Sequence, residues 1–412
     1  MKWIAALVLN LSLAIAVQAQ GYPSDTLVQP PVESVVVFAE GQWASNALNK
    51  FVLAGFAFGG DISFPVRSLV SLTEQKDGAF AGGSLRSGVK ATLPAMGLFE
   101  AADPSGWRTT VALEYHQLGA MRWSPGTAQL AFGRHGLSHQ YPSDLGGSGY
   151  QYFSFTSLKI GGLRSFTSSC FGVPVQLSLS WSINAGEMHS HRAGGVASKS
   201  QFTWDQSTVA LDARAQQLST LGVGNLLGVD LGVAMEEANG GQGRLDRWSF
   251  SLSDLGNARF REFVFDQLDT ALSYGGLPLI TEGAPSLEGA WSSDTLVGSL
   301  RRNLPATVRL SWERHAMRTP GVVRILRAEQ NSYAPRPLIE LTRRSGRGPL
   351  QASIGLGYGG WGGSYIPLSV RMPSRAVRQG RPGGTVHLTS RWLALAGTGG
   401  RMALGLNWHQ SF

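Results

Sequence analysis

The stretch Arg401–Phe412 (RMALGLNWHQSF) alternates apolar with polar or small residues along nearly its whole length. Met402, Leu404, Leu406, Trp408 and Phe412 fall on one side of an extended chain. Arg401, Ala403, Gly405, Asn407, His409 and Ser411 fall on the other. Successive side chains of a β-strand point to opposite faces, so one face of this segment meets something apolar and the other something polar or wet.

The same period recurs upstream. Val173, Val175, Leu177, Leu179, Trp181 and Ile183 oppose Gln176, Ser178, Ser180 and Ser182. Trp107, Thr109, Val111, Leu113 and Tyr115 oppose Arg108, Thr110, Glu114 and His116. Leu227, Val229, Leu231, Val233 and Met235 oppose Gly228, Asp230, Gly232 and Glu236; Val308, Leu310 and Trp312 oppose Arg309, Ser311 and Glu313. Leu350–Tyr358 and Val386–Trp392 repeat the pattern, with weaker candidates between. Period two at this strength argues half-buried strands. A soluble sandwich or propeller also alternates, with its apolar face inside. Here the polar face carries charges that a packed core would not tolerate unpaired, and Trp or Tyr stands near many strand ends, as in the aromatic girdles of membrane barrels.

Composition agrees. Glycine is high at 53 of 412 residues and charged residues make up 15%, against ~7% and about 25% for a soluble domain. No later run approaches the ~20 apolar residues of a spanning helix. At the start, Lys2, the apolar stretch Trp3–Val17 and the small-residue site Val17-Gln18-Ala19 read as a secretory signal cleaved after Ala19. Gln20–Glu33, with three prolines, reads as a loose leader. Cys170 is the single cysteine, so no intramolecular disulfide forms. The net charge of +8 rests on 29 Arg against 6 Lys. These arginines are dispersed, and export takes the chain away from nucleic acid, so anionic lipid, lipopolysaccharide or an anionic solute is the expected counterpart.

Candidate chemistry is sparse. Glu187, His189 and His191 (GEMHSH) alternate onto one side of an extended chain but match no metal signature, and Glu187–Ser200 reads as a loop. His116 beside Glu114, or His315 beside Glu313, has the makings of an acid–base pair, yet no GxSxG elbow or phosphate loop accompanies either. The expectation is no enzyme, no cofactor and no metal. Inward-facing candidates are Arg108, Glu114, Arg247, Arg309, Glu313, Arg391 and Arg401. A ring of such guanidinium groups favours anions in a pore, unless the carboxylates on the same faces cancel it. The period breaks at Asn257–Glu282, where Phe260, Phe263, Val264, Leu268 and Leu272 recur near helical spacing, which predicts a loop insertion with a short amphipathic helix.

The terminal Phe412 resembles the last residue of bacterial outer-membrane barrels, which implies a role in assembly. LGVDLGVAMEE (Leu227–Glu237) followed by WSFSLSDLG (Trp248–Gly256) is similar to an outer-membrane barrel family of unknown function common in the Bacteroidota, itself loosely similar to long-chain fatty-acid transporters. That resemblance carries over no catalytic or ligand residues. The sequence therefore predicts an all-β, transmembrane antiparallel barrel of about 14 strands, within roughly 12 to 16. It would occupy residues 34–412 after a signal peptide (1–19) and leader (20–33), with the insertion at 257–282. The place is the outer membrane of a Gram-negative bacterium, with lipid, lipopolysaccharide and the barrel-assembly machinery as partners. The function is passage of a small or lipid-like solute. The alternative is a non-conducting structural or secretion-associated barrel binding a secretion or surface protein through its loops.

Overall fold

The computed structural model describes residues 34–46, 79–94, 107–127, 143–170, 173–204, 208–239, 244–275, 291–316, 322–345, 350–373, 383–394 and 400–411. Eighteen strands share one antiparallel sheet. They are β1 (Ser34–Ser45), β2 (Ala79–Pro94), β3 (Trp107–Trp123), β4 (Ser143–Asp144), β5 (Gly149–Cys170), β6 (Val173–Val196), β7 (Gln201–Trp204), β8 (Thr208–Leu221) and β9 (Gly224–Asn239). Then come β10 (Arg244–Gly275), β11 (Trp291–Asn303), β12 (Thr307–Ala316), β13 (Val323–Asn331), β14 (Leu338–Ser345), β15 (Gln351–Tyr358), β16 (Tyr365–Pro373), β17 (Gly384–Ala394) and β18 (Gly400–Ser411).

Register reduces these to a simpler object. β8 and β9 pair in succession along β10, from Gly275↔Thr208 to Arg244↔Asn239, so they form one stave interrupted near Gly222. β11 and β12 likewise run in succession along the other side of β10. With the short β4–β7 ribbon set aside, fourteen staves remain. The seam closes where β1 pairs with β18, from Ser34↔Ser411 to Ser45↔Gly400, while its other edge pairs with β2. Closure leaves no unpaired sheet edge, the condition for a sheet to exist in lipid.

The faces sort as the alternation demands. Leu113, Leu158, Ile160, Leu179, Ile183, Leu227, Leu310, Ile354, Leu356 and Leu404 are exposed on the outside, while Glu114, Lys159, Ser178, Asn184, Glu313 and Asn407 are buried inside. A soluble protein does the reverse. In the terminal strand, Leu404 is 55% exposed and Asn407 is 1% exposed. Toward the end that holds Ser34 and Ser411, outward Trp248 and Trp312 pack together at 5.8 Å between ring centroids. Arg314 lies 4.6 Å over Trp312, and Arg164 lies 5.7 Å over Trp107.

Two segments differ from the sequence reading. The expected insertion is strand through Gly275: Asn257–Leu268 pairs with β11 and Glu262–Gly275 with β8, and 276–282 lie outside the described residues. Phe260, Val264, Leu268 and Leu272 explain the misreading, because a four-residue step that suits one helix face also keeps to one face of a strand. Of the two register shifts along this strand, Leu252/Leu255 places one extra residue in β10 and Phe260/Glu262 places one in β11. The second segment is Glu187–Ser200, which is not a loop at its start, because β6 continues through Val196. Residues 1–33 and Phe412 lie outside the described residues.

The wall is uneven in height. β5, β6 and β10 run 22, 24 and 32 residues, whereas β13 to β16 run 9, 8, 8 and 9. The short staves are joined by compact turns at the end opposite the termini. Those turns lean across the lumen onto the tall wall.

Candidate functional site

Inside the tall wall a charged cluster spans six staves. Lys159 on β5 reaches Asp230 on β9 and Asp254 on β10, both at 2.8 Å, and Glu114 on β3 at 3.2 Å. Arg86 on β2 donates to both Glu114 carboxylate oxygens at 2.9 Å. His116 Nε2 lies 2.9 Å from Glu114 Oε2. Asn184 and the Asp254 backbone N–H both donate to Asp230 Oδ1, at 2.6 and 2.7 Å. Every ion of this group has a counter-ion, which is what burial of charge requires. Asp254 holds φ at 58°, in the β10 bulge, and this turns its carboxylate to the inside. A non-glycine residue in that region signals a constrained position.

One layer nearer the compact turns, the lumen becomes apolar. Leu118, Phe153, Phe155, Met188, Leu226, Ala258, Phe260, Leu304, Ala44 and Trp361 form one buried cluster, with Tyr333, Ala334, Leu300 and Ala120 packed against it. The His116 ring stacks on Phe155 at 4.7 Å and joins the two layers. Tyr333, from the β13–β14 turn, meets Phe153 at 4.8 Å. Trp361, from the β15–β16 turn, is 5% exposed. The positive φ of Gly359 and Gly360, 100° and 65°, allows the tight turn that carries it. Its indole lies over Gly82, where a Cβ would come within 2.4 Å of Nε1, and that Nε1 has no hydrogen-bond partner among the described residues.

Beside these layers is an open cavity of about 90 Å³. Its lining mixes Gln42, Ser84, Arg86, His116, Asp254, Arg309, Glu329 and Asn331 with Leu118, Ala334, Leu338 and Trp361. The lining thus sets an apolar wall beside charged and hydrogen-bonding groups.

The candidates from sequence fall into place unevenly. Glu114 is at the centre of the cluster. Arg247 pairs with Glu236 at 3.0 Å and lies 4.0 Å from Glu313, and Arg309 pairs with Glu329 at 3.0 Å. These guanidinium groups are tied to carboxylates and form no ring of bare positive charge. His315 lies 3.7 Å from Glu313. Arg108 shares the Glu114 face by alternation along β3. The side chains of Arg391 and Arg401 lie outside the described set, as does Phe412. In GEMHSH, the register shift opposite Ser154/Phe155 separates the histidines: His191 is 2% exposed and packs on Phe153, whereas His189 is exposed and bonds Thr156.

Sequence reasoning did not single out Lys159, Arg86 or Asp254. A signal existed for the first: Lys159 sits alone between the outward Leu158 and Ile160. The two motifs that carried the family resemblance also meet here, each giving one aspartate, Asp230 and Asp254, to Lys159.

No protein-family model matches the chain, and no curated protein matches it in sequence. Solved structures do match. A variant of the monoaromatic hydrocarbon channel TodX is 7% identical over 95% of this chain and 93% of its own, with a TM-score of 0.50. TodX, the Pseudomonas putida toluene transporter, is 7% identical over 95% and 92%, with a TM-score of 0.46. TbuX, the Ralstonia pickettii toluene transporter, is 6% identical over the same shares, with a TM-score of 0.47. The chain has the fold of the outer-membrane β-barrels: closed, antiparallel, polar within and apolar without.

Proposed function

We propose that this protein is an outer-membrane uptake barrel that admits a small, mainly apolar solute into its lumen. One observation carries the reading: the apolar cluster of Leu118, Phe153, Phe155, Met188, Phe260 and Trp361 lies inside the barrel, next to an open-mouthed cavity. A lumen built only for water and ions is polar throughout. Leu118 and Trp361 carry this cluster to the cavity wall, where an apolar molecule would leave water at about 25 cal/mol per Å². The charged cluster behind it holds the wall in shape and keeps the far side of the chamber polar. The exposed aliphatic belt and the Trp girdle fit the outer membrane, reached through the signal at residues 1–19, with lipopolysaccharide and phospholipid around the belt. The monoaromatic hydrocarbons carried by the structural neighbours are the first solutes to try.

The test is accumulation of a radiolabelled monoaromatic hydrocarbon by cells with an intact lipopolysaccharide layer, with and without the barrel. The barrel should raise the initial rate several-fold, and Phe153→Asp should abolish the gain while gel mobility still shifts on boiling. Equal rates in all three strains, together with a large steady ion conductance in planar bilayers, would replace this reading with an open water-filled pore.

A further inference from the structure

Along the outside of the barrel, at the end that carries Ser34 and Ser411, β12, β13 and β14 place three arginines in one row. Arg314 is the register partner of Arg324, and Arg324 that of Arg343. Neighbouring strands stand about 4.8 Å apart, so the three stems fall within roughly 10 Å. Like charges directly opposite each other destabilise a sheet. Asp246, the partner of Arg314 on β10, answers one of them: Arg314 Nε lies 2.8 Å from its Oδ1. Arg324 and Arg343 are exposed and have no acidic partner among the described residues.

The next outward row toward the middle of the wall is Trp248, Trp312, Leu326, Leu341 and Leu356, again partner to partner. Apolar belt thus gives way to arginine in a single two-residue step. In a bilayer, the layer just beyond the acyl chains and the Trp girdle is the headgroup layer. Arginine matches phosphate oxygens through its planar fork of donors.

We propose that Arg324 and Arg343, with Arg314 at their flank, bind the phosphodiester of an anionic glycerophospholipid in the leaflet at the terminus-bearing end. The inference rests on the membrane placement proposed above. The lipid supplies the charge that Asp246 supplies to Arg314 alone, and it fixes the height of the short wall in the bilayer.

The experiment uses the full chain purified in neutral detergent, with bound lipid counted by native mass spectrometry during titration with phosphatidylglycerol or phosphatidylcholine. Phosphatidylglycerol should bind at least tenfold more tightly. R324Q/R343Q should weaken it about 30-fold, at about fivefold per surface arginine. R324K/R343K should keep most of the affinity, and D246N, which frees Arg314, should raise it about fivefold. Equal binding of the two lipids by the wild type overturns the proposal without recourse to any variant, and so does a double glutamine variant that keeps the preference. Competition by millimolar inorganic phosphate would mark a free-anion site and overturn the lipid assignment. Flotation of the protein with vesicles is scored separately. A barrel that floats without lipid preference refutes the arginine site alone, and one that never floats refutes the membrane placement beneath it.

Discussion

The tall and short halves of this barrel obey the same alternation but solve different problems. The tall half, β2 to β12, has long staves whose inner face must fill space without a neighbour across it. It does so with a cross-linked charged cluster and a bed of aromatic side chains. The short half, β13 to β17, has little inner face of its own and sends Tyr333 and Trp361 over to the other side. Its ion pairs run between neighbouring strands, such as Arg309–Glu329 and Arg327–Glu340, the latter capped by the Tyr365 hydroxyl at 2.6 Å. One half is a framework and the other a cover, set on opposite sides of one lumen.

Removing the framework's centre should have the largest effect. Lys159→Met leaves Glu114, Asp230 and Asp254 facing each other with one fewer cation; the expected loss is about 3–5 kcal/mol, the usual cost of breaking a buried ionic group. Urea unfolding of the detergent-solubilised barrel, followed by the gel shift, measures it, and an unchanged midpoint would erase the distinction drawn here. Phe260→Ala, in the aromatic bed, should cost about 3 kcal/mol by the same assay, in the range for large buried aromatics.

The cover should respond in permeation more than in stability. Trp361→Ala removes a large side chain that crosses the lumen, and Gly82→Leu evicts it by filling its seat. Both should raise single-channel conductance several-fold in planar bilayers, and agreement between the two would sharpen the assignment of Trp361 to the cover. The smallest effect is expected at Arg309→Gln, about 1 kcal/mol, because the glutamine amide keeps a hydrogen-bond donor toward Glu329. A loss there as large as at Lys159 would break the comparison.

How much of this was open to reading from residues alone differs between the same two regions. The short half and the strands beside it repeat without interruption, so Val308–Trp312, Leu350–Tyr358 and the terminal strand are legible directly. The tall half is not, because β10 changes face at Asp254 and its register slips again after Phe260. After the first bulge, Ala258 and Phe260 point inward where Trp248, Phe250 and Leu252 had pointed outward. A bulge is set by what lies across the sheet, and no local pattern announces it. The charged cluster was half legible for a related reason. Glu114 and Asp230 stand on clean strands, whereas Asp254 stands on the bulge itself. That these residues share Lys159 depends on register between segments 71 and 95 positions apart.

The seam between β1 and β18 has a consequence for how such a molecule comes into being. It joins Ser34 to Ser411, nearly the whole described length of the chain, and loop-closure entropy makes so remote a pairing slow to form. Until it forms, the sheet is an open ribbon with two sticky borders and an oily back, the state most prone to join a second copy of itself. Joining the first strand to the last is therefore also the step that turns an aggregation hazard into a particle with no loose border.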